Sequence, residues 1–109
     1  MAYDEGLAQR VYEIMSEQPG LVEKKMFGGV GYLLHGNMAC GVNQVHLVVR
    51  VGPENYEAAL AQPHTHVFDI TGRPMTGWVM VDPEGIESDD ALATWVQRGV
   101  EFALSLPPK

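Results

Sequence analysis

Apolar residues recur at helical spacing near both ends of the chain. The first set predicts an amphipathic helix over residues 4–17, with Asp4 available as the N-cap. The second set predicts a helix that begins at Ser88 or Asp89 and ends near Leu106. The buried stripes of the two helices are, in order, Leu7, Val11, Ile14 and Met15, then Leu92, Trp95, Val96, Gly99, Phe102 and Ala103.

The stretch between residues 26 and 51 carries alternating apolar residues, two turn signals and almost no charge. Such alternation is typical of strands, and we predict strands over residues 26–35, 38–42 and 46–51. Gly36 with Asn37, and Asn43 with Gln44, provide the turns between them. The stretch therefore predicts a three-stranded antiparallel meander, which is the central part of the sheet.

The remaining elements follow Gly52 and Pro53, which end the third strand. We predict a short helix over residues 54–61 and two more strands over residues 67–71 and 75–81. The element order is α-βββ-α-ββ-α. It predicts a single domain over residues 1–109 of the α+β class, with two layers and a five-stranded, mainly antiparallel sheet.

Neither face of the third and fifth predicted strands is purely polar. A sheet covered by helices on one side only should show a cleaner alternation of apolar and polar residues. We therefore expect the second face to be covered either by the helix over residues 54–61 or by another subunit, and we predict a homodimer.

Composition and charge narrow the function classes. The formal net charge is −7, yet residues 24–81 hold four bases against three acids. An acidic chain lacks the contiguous basic surface that counterion release requires, so we expect a protein partner rather than direct binding to nucleic acid. The N-terminus has no signal-peptide pattern, no stretch resembles a membrane span, and Cys40 is the single cysteine. These features predict a cytoplasmic protein without a disulfide.

No catalytic motif, metal-ligand spacing or cofactor fingerprint is present, and we predict a protein without enzyme activity or cofactor. His64 and His66 would share a face of an extended segment but have no third ligand at metal-binding spacing, which favours solvated loop histidines. Cys40 has the context of a small buried residue, although its role stays open. Asp89 and Asp90 lie at a helix start, where capping and the helix dipole favour negative charge.

Candidate interaction residues lie at two places. Lys24 and Lys25 precede a glycine-rich segment. Arg73 lies in a predicted turn before Trp78. The structural alternatives are a solvated lysine pair beside a glycine bulge, and a turn followed by a core tryptophan. If Lys24, Lys25, Arg50 and Arg73 converge on one pocket, the chain is instead an anion-binding or small-ligand domain or an enzyme; direct DNA binding through these bases is a weaker alternative. The candidate surface consists of Lys24, Lys25, Phe27, Gly28, Gly29, Arg50, Arg73 and Trp78.

Five segments together resemble the N-terminal domain of the TfoX/Sxy competence regulators. They are KKMFGG from Lys24, RVGPENYEAAL from Arg50, TGRPM from Thr71, GWVMVDPEG from Gly77, and the closing SLPPK. The resemblance implies a compact α/β fold of the sort also seen in type III secretion chaperones. Full-length members add a helical C-terminal domain and assist the cyclic-AMP receptor protein at competence promoters.

The present sequence ends at Lys109 without that second domain and so resembles the free-standing, single-domain proteins of the family. The resemblance implies a protein-interaction module that is an accessory of transcriptional regulation. The family has no established catalytic residues that could be transferred to this chain.

Overall fold

The structure of the protein is a computed structural model that describes residues 3–26, 28–69 and 72–109. Short 3-10 turns lie at Pro53–Asn55 and Pro83–Gly85. The helices are α1 (Glu5–Met15), α2 (Tyr56–Leu60) and α3 (Asp89–Ser105), and the strands are β1 (Leu21–Met26), β2 (Gly29–Leu34), β3 (Asn37–Asn43), β4 (His46–Arg50), β5 (Thr65–Val67) and β6 (Trp78–Val81).

The six described strands form one sheet in the order β1-β2-β3-β4-β6-β5, and all neighbours are antiparallel. The α+β class and the single antiparallel sheet are confirmed, but the prediction of five strands is wrong. The missed strand is β1, which contains Glu23, Lys24 and Lys25. An edge strand that is exposed on one side needs no strict apolar alternation, and lysines on it discourage unwanted edge pairing.

The turns of the meander lie one residue before or after the predicted ones. His35 and Gly36 both have positive φ, 52° and 84°, which is the requirement of a type I′ turn between paired Leu34 and Asn37. Asn37 begins β3 instead of sitting in the turn, because the C-terminal tail buries it. Its Nδ2 donates a hydrogen bond of 2.9 Å to the Pro107 carbonyl.

Helices α1 and α3 begin where their caps lie. Asp4 Oδ1 accepts from the Leu7 N–H at 3.1 Å, and Ser88 Oγ accepts from the Ala91 N–H at 3.1 Å. Each bond satisfies one of the donors that a helix start leaves unpaired. The caps confirm the predicted start of each helix.

All three helices pack on one face of the sheet. Ala59 of α2 belongs to the same buried cluster as Val79 and Val81 of β6 and as the apolar stripes of α1 and α3. The expectation that the helix over residues 54–61 covers the second face is therefore wrong: the apolar face of α2 is too short to wrap an edge and joins the common core instead. Among the described residues, no helix is long and apolar enough to cross a membrane.

Candidate interaction surface

The sheet face turned away from the helices, which we call the open face, has no covering layer among the described residues. Directly paired residues of antiparallel strands share a face. Val22 pairs with Leu33 and Leu33 with Met38, while Val48 pairs with Met80. None of these five belongs to the core cluster under the helices. The open face is thus lined with aliphatic and thioether side chains.

The centre of the open face consists of glycines and buried side chains. Gly31 and Gly41 are directly paired, so two neighbouring strands carry no side chain there. The Met38 methyl lies 2.8 Å from the place where a Cβ on Gly41 would sit, which shows that Met38 bends over this glycine. Val48, on the strand next to Gly41, is only 2% exposed even though no helix covers it. Val22 at the edge is 55% exposed.

An arginine held between aromatic rings lies at one end of the open face. Arg50 pairs with Trp78 across β4 and β6, and its Cζ lies 5.3 Å from the Trp78 ring centre and 5.2 Å from that of Phe102. Phe68 supports the cluster with its ring centre 6.1 Å from that of Trp78. Within the described part of the chain, the guanidinium of Arg50 forms no hydrogen bond or ion pair. The rings orient the guanidinium, and its N–H donors stay available.

Two imidazoles share one carboxylate elsewhere on this face. Asp82 Oδ2 lies 2.6 Å from His66 Nε2, and Asp82 Oδ1 lies 3.3 Å from His46 Nε2. His66 therefore lies in β5 and not in a loop as predicted, although its side chain stays 55% exposed. His64 lies in the preceding turn with φ of 63°. No group of three His, Cys, Asp or Glu side chains suited to a metal ion occurs in residues 3–26, 28–69 and 72–109.

Charge is distributed unevenly between the two sides of the sheet. The open-face positions of the described strands include Lys24 and Arg50 and no acid, and the adjoining Asp82 is engaged by imidazoles. Most acids lie in the helices and their first turns, on the other side. These are Asp4, Glu5, Glu13, Glu54, Glu57, Asp89, Asp90 and Glu101.

The structure brings together only part of the predicted interaction residues. Lys24, Arg50 and Trp78 share the open face. Lys25 pairs with the core residue Val30 and so lies on the opposite face of the sheet. Arg73 lies in the exposed loop between β5 and β6. Phe27 lies outside the described residues. Gly28, exposed with φ of 74°, lies in the β1–β2 connection, and buried Gly29 begins β2.

Two depressions on the described surface bear on the expected convergence of four bases on one pocket. The first, of about 480 Å³, lies between the 3-10 turn before α2 and the C-terminal half of α3. The second, of about 450 Å³, lies along α3. Both include Arg98 and Glu101, and neither is lined by Lys24, Lys25, Arg50 or Arg73. Arg98 stacks on Trp95, with its Cζ 4.6 Å from the ring centre.

The single cysteine is buried in the core, as predicted for a small hydrophobic residue. Cys40 Sγ lies 3.3 Å from Met15 Sδ, and burial raises the pKa of the thiol from 9.0 to about 12. A thiol with a raised pKa and no solvent access has little thiolate and makes a poor nucleophile.

Sequence reasoning missed several members of the open face. Leu33, Met38 and Met80 were read as ordinary core or strand residues, although the mixed polarity of both strand faces pointed to an uncovered apolar side. Phe102 of α3 is not on the open face, but it touches Arg50 from the helical layer, and it was read as a core residue. Phe102 could not have been found, because its contact with Arg50 joins a helix to a strand about fifty positions away in the sequence.

The comparison with protein families supplies the remaining observation. The model of the TfoX N-terminal domain matches residues 13–103, which is most of the chain. This protein belongs to the TfoX N-terminal domain family. Membership indicates a competence-related regulatory role, and the family is not known as enzymatic. A search of curated proteins finds no match to this chain.

Proposed function

We propose that this TfoX N-terminal domain is a non-enzymatic protein-interaction module and an accessory of transcriptional regulation. The observation that supports the proposal is the open face, an apolar sheet surface that the chain's own helices leave uncovered. Exposed apolar faces with a polar rim are a common feature of protein interaction sites. The regulatory indication of the family and the buried, high-pKa state of Cys40 agree with a binding role.

The test compares two valine substitutions that introduce the same charge. Val22→Glu places a carboxylate on the open face, whereas Val45→Glu places one in the β3–β4 turn; the two valines are 55% and 48% exposed. Tagged wild-type and variant proteins are used to capture partners from cell extract, which are identified by mass spectrometry. We expect a protein partner that Val45→Glu retains and Val22→Glu loses.

Two results would overturn the proposal. One is equal capture by both variants, which would exclude the open face. The other is failure to capture any protein while the pure chain binds a duplex DNA in a salt-sensitive manner, which would favour the direct DNA-binding alternative.

The predicted homodimer and cytoplasmic location belong to the same proposal. Sedimentation equilibrium at micromolar concentration tests the homodimer, whichever surface the second copy uses. A monomer at all concentrations removes the homodimer but leaves the interaction module intact.

A further inference from the structure

We propose that the open face docks a protein segment in which carboxylates flank apolar side chains, and that Arg50 and Lys24 receive those carboxylates. The inference rests on the proposed function, because it names the chemistry of the partner for the same surface.

The apolar contacts of the proposed interaction come from the central residues of the open face. Leu33 and Met38 on the paired strands β2 and β3, and Met80 on β6, are partly exposed, and the paired Gly31 and Gly41 between them carry no side chains of their own. Thioethers adapt their shape to different apolar neighbours. The centre of the open face can therefore accept aliphatic or aromatic side chains of a segment that lies across the strands.

The charged contacts of the proposed interaction come from two bases at separate places on the same face. Lys24 is exposed on the edge strand β1, and Arg50 lies three strands away in the sheet. Arg50 is held by Trp78 and Phe102 and has no acid or carbonyl partner among the described residues. A stacked guanidinium has already lost much of its side-chain freedom, and its planar fork matches a carboxylate in two parallel hydrogen bonds.

A comparison with Arg10 shows the difference between a structural and an available arginine. Arg10 donates to the carbonyls of Ile86 and Glu87 at 3.1 and 3.2 Å and pairs with Asp89 at 3.3 Å. Its donors join α1 to the loop before α3. The guanidinium of Arg50 contacts two rings and makes no such bonds with the described residues, so its donors are available to an external anion.

Charge also argues against a second copy as the occupant. Symmetric pairing of the open face with itself would bring Lys24 and Arg50 of one copy to the face that carries the same two bases in the other. Like charges across an interface suppress association. Most acids of the chain lie in the helical layer, and Asp82 beside the open face is engaged by His46 and His66, so a face-to-face dimer offers these bases few carboxylates. An acidic partner segment does neutralise them.

The test uses a display library of random linear peptides, selected on the full chain and analysed by sequencing. Recovered peptides are then labelled, and their affinity for wild-type and variant proteins is measured by fluorescence anisotropy. Lys24→Glu and Lys25→Glu form the matched pair, because both substitutions change the net charge equally. The two exposed lysines are adjacent on β1 but lie on opposite faces of the sheet. Arg50→Gln and Arg50→Lys probe the stacked guanidinium.

We expect peptides enriched in Asp and Glu next to aliphatic or aromatic residues. Their affinity should fall about tenfold or more in Arg50→Gln and in Lys24→Glu, and less than about twofold in Lys25→Glu. Arg50→Lys should recover only part of the loss, since an ammonium keeps the charge without the planar fork. Circular dichroism of each variant verifies the fold, and Lys24→Glu decides the matter if the Arg50 variants unfold.

Four results would overturn the inference. They are a library that yields no peptide above background, peptides without acidic enrichment, equal losses in Lys24→Glu and Lys25→Glu, and a wild-type dimer that Lys24→Glu dissociates and Lys25→Glu does not. If any of these occurs while Val22→Glu still loses a captured cellular partner, the open face is an interaction surface whose partner has different chemistry. If Val22→Glu keeps that partner, the proposed function itself fails.

Discussion

The contact between α3 and the sheet can be tested at a single glycine, Gly99. An ideal Cβ built on Gly99 would overlap the Ala39 carbonyl oxygen and lie 2.9 Å from its carbon and 3.3 Å from Val49 Cγ1. The obstacle is mainly backbone of β3, which cannot rotate away as a flexible side chain can. We therefore expect Gly99→Ala to destabilise the protein.

The magnitude follows from two opposing effects. Ordinary van der Waals contact begins at about 3.4 Å, so relief of the overlap with the Ala39 carbonyl oxygen requires α3 and β3 to separate by roughly 1 Å. Overpacking of this kind costs about 1–3 kcal/mol, and a backbone obstacle places Gly99→Ala near the upper end. Alanine in a helix interior returns about 1 kcal/mol relative to glycine. The net expectation is a loss of about 2 kcal/mol, or a fall in Tm of about 10 °C for a chain of this size.

Urea unfolding followed by tryptophan fluorescence and circular dichroism measures the effect, because Trp95 lies in α3 and is 7% exposed. Gly6→Ala is the control: it makes the same change in α1, where the nearest atom is the flexible Asp4 Oδ1 at 3.2 Å. We expect it to leave the free energy of unfolding unchanged or to raise it by up to about 1 kcal/mol, the helix-propensity gain of alanine over glycine. If Gly99→Ala is as stable as the wild type or more stable, the close approach of α3 to β3 is refuted.

Two further predictions concern a helix cap and the buried thiol. Ser88→Ala removes the acceptor of the Ala91 N–H and should lower the free energy of unfolding by about 1 kcal/mol in urea titrations, while Ser88→Asp should preserve it. Cys40 should resist a maleimide at pH 8 in the native protein and react after unfolding in urea; rapid native labelling would contradict its burial. Because burial raises the pKa of Cys40 from 9.0 to about 12, the stability linked to its protonation is complete below pH 9 and lost as pH rises from 9 toward 12, at up to about 1.4 kcal/mol per pH unit. A Cys40→Ala variant should lack this part of the pH dependence, and identical pH profiles would contradict the linkage.

Local patterns were sufficient for several elements. The apolar spacing and the caps at Asp4 and Ser88 predicted α1 and α3, and the alternation over residues 26–51 predicted antiparallel strands joined by tight turns. These features are encoded within a few neighbouring residues, because a helix or hairpin closes its own hydrogen bonds locally. The turns were displaced by one residue, since the burial of Asn37 depends on Pro107, some seventy positions away.

The candidate site was recognised only in part. Lys24, Arg50 and Trp78 were selected from sequence and do share the open face. Lys25, also selected, lies on the opposite face of the sheet. Adjacent residues of a strand point to opposite faces, so the two lysines could be told apart only after β1 was known to be a strand. The same alternation separates Lys25 from Lys24 and Arg50, so these three bases do not share one face of the sheet.

The sequence alone determined the fold class, the core stripes and the family, because these depend on periodicity and on motifs read along the chain. Only the tertiary structure decided that β1 is a sixth strand, that α2 joins the other helices on one face, and that Arg50 is held between Trp78 and Phe102. Each of these depends on contacts between distant segments, and the free energy of such contacts comes from packing and burial that exist only in the assembled sheet.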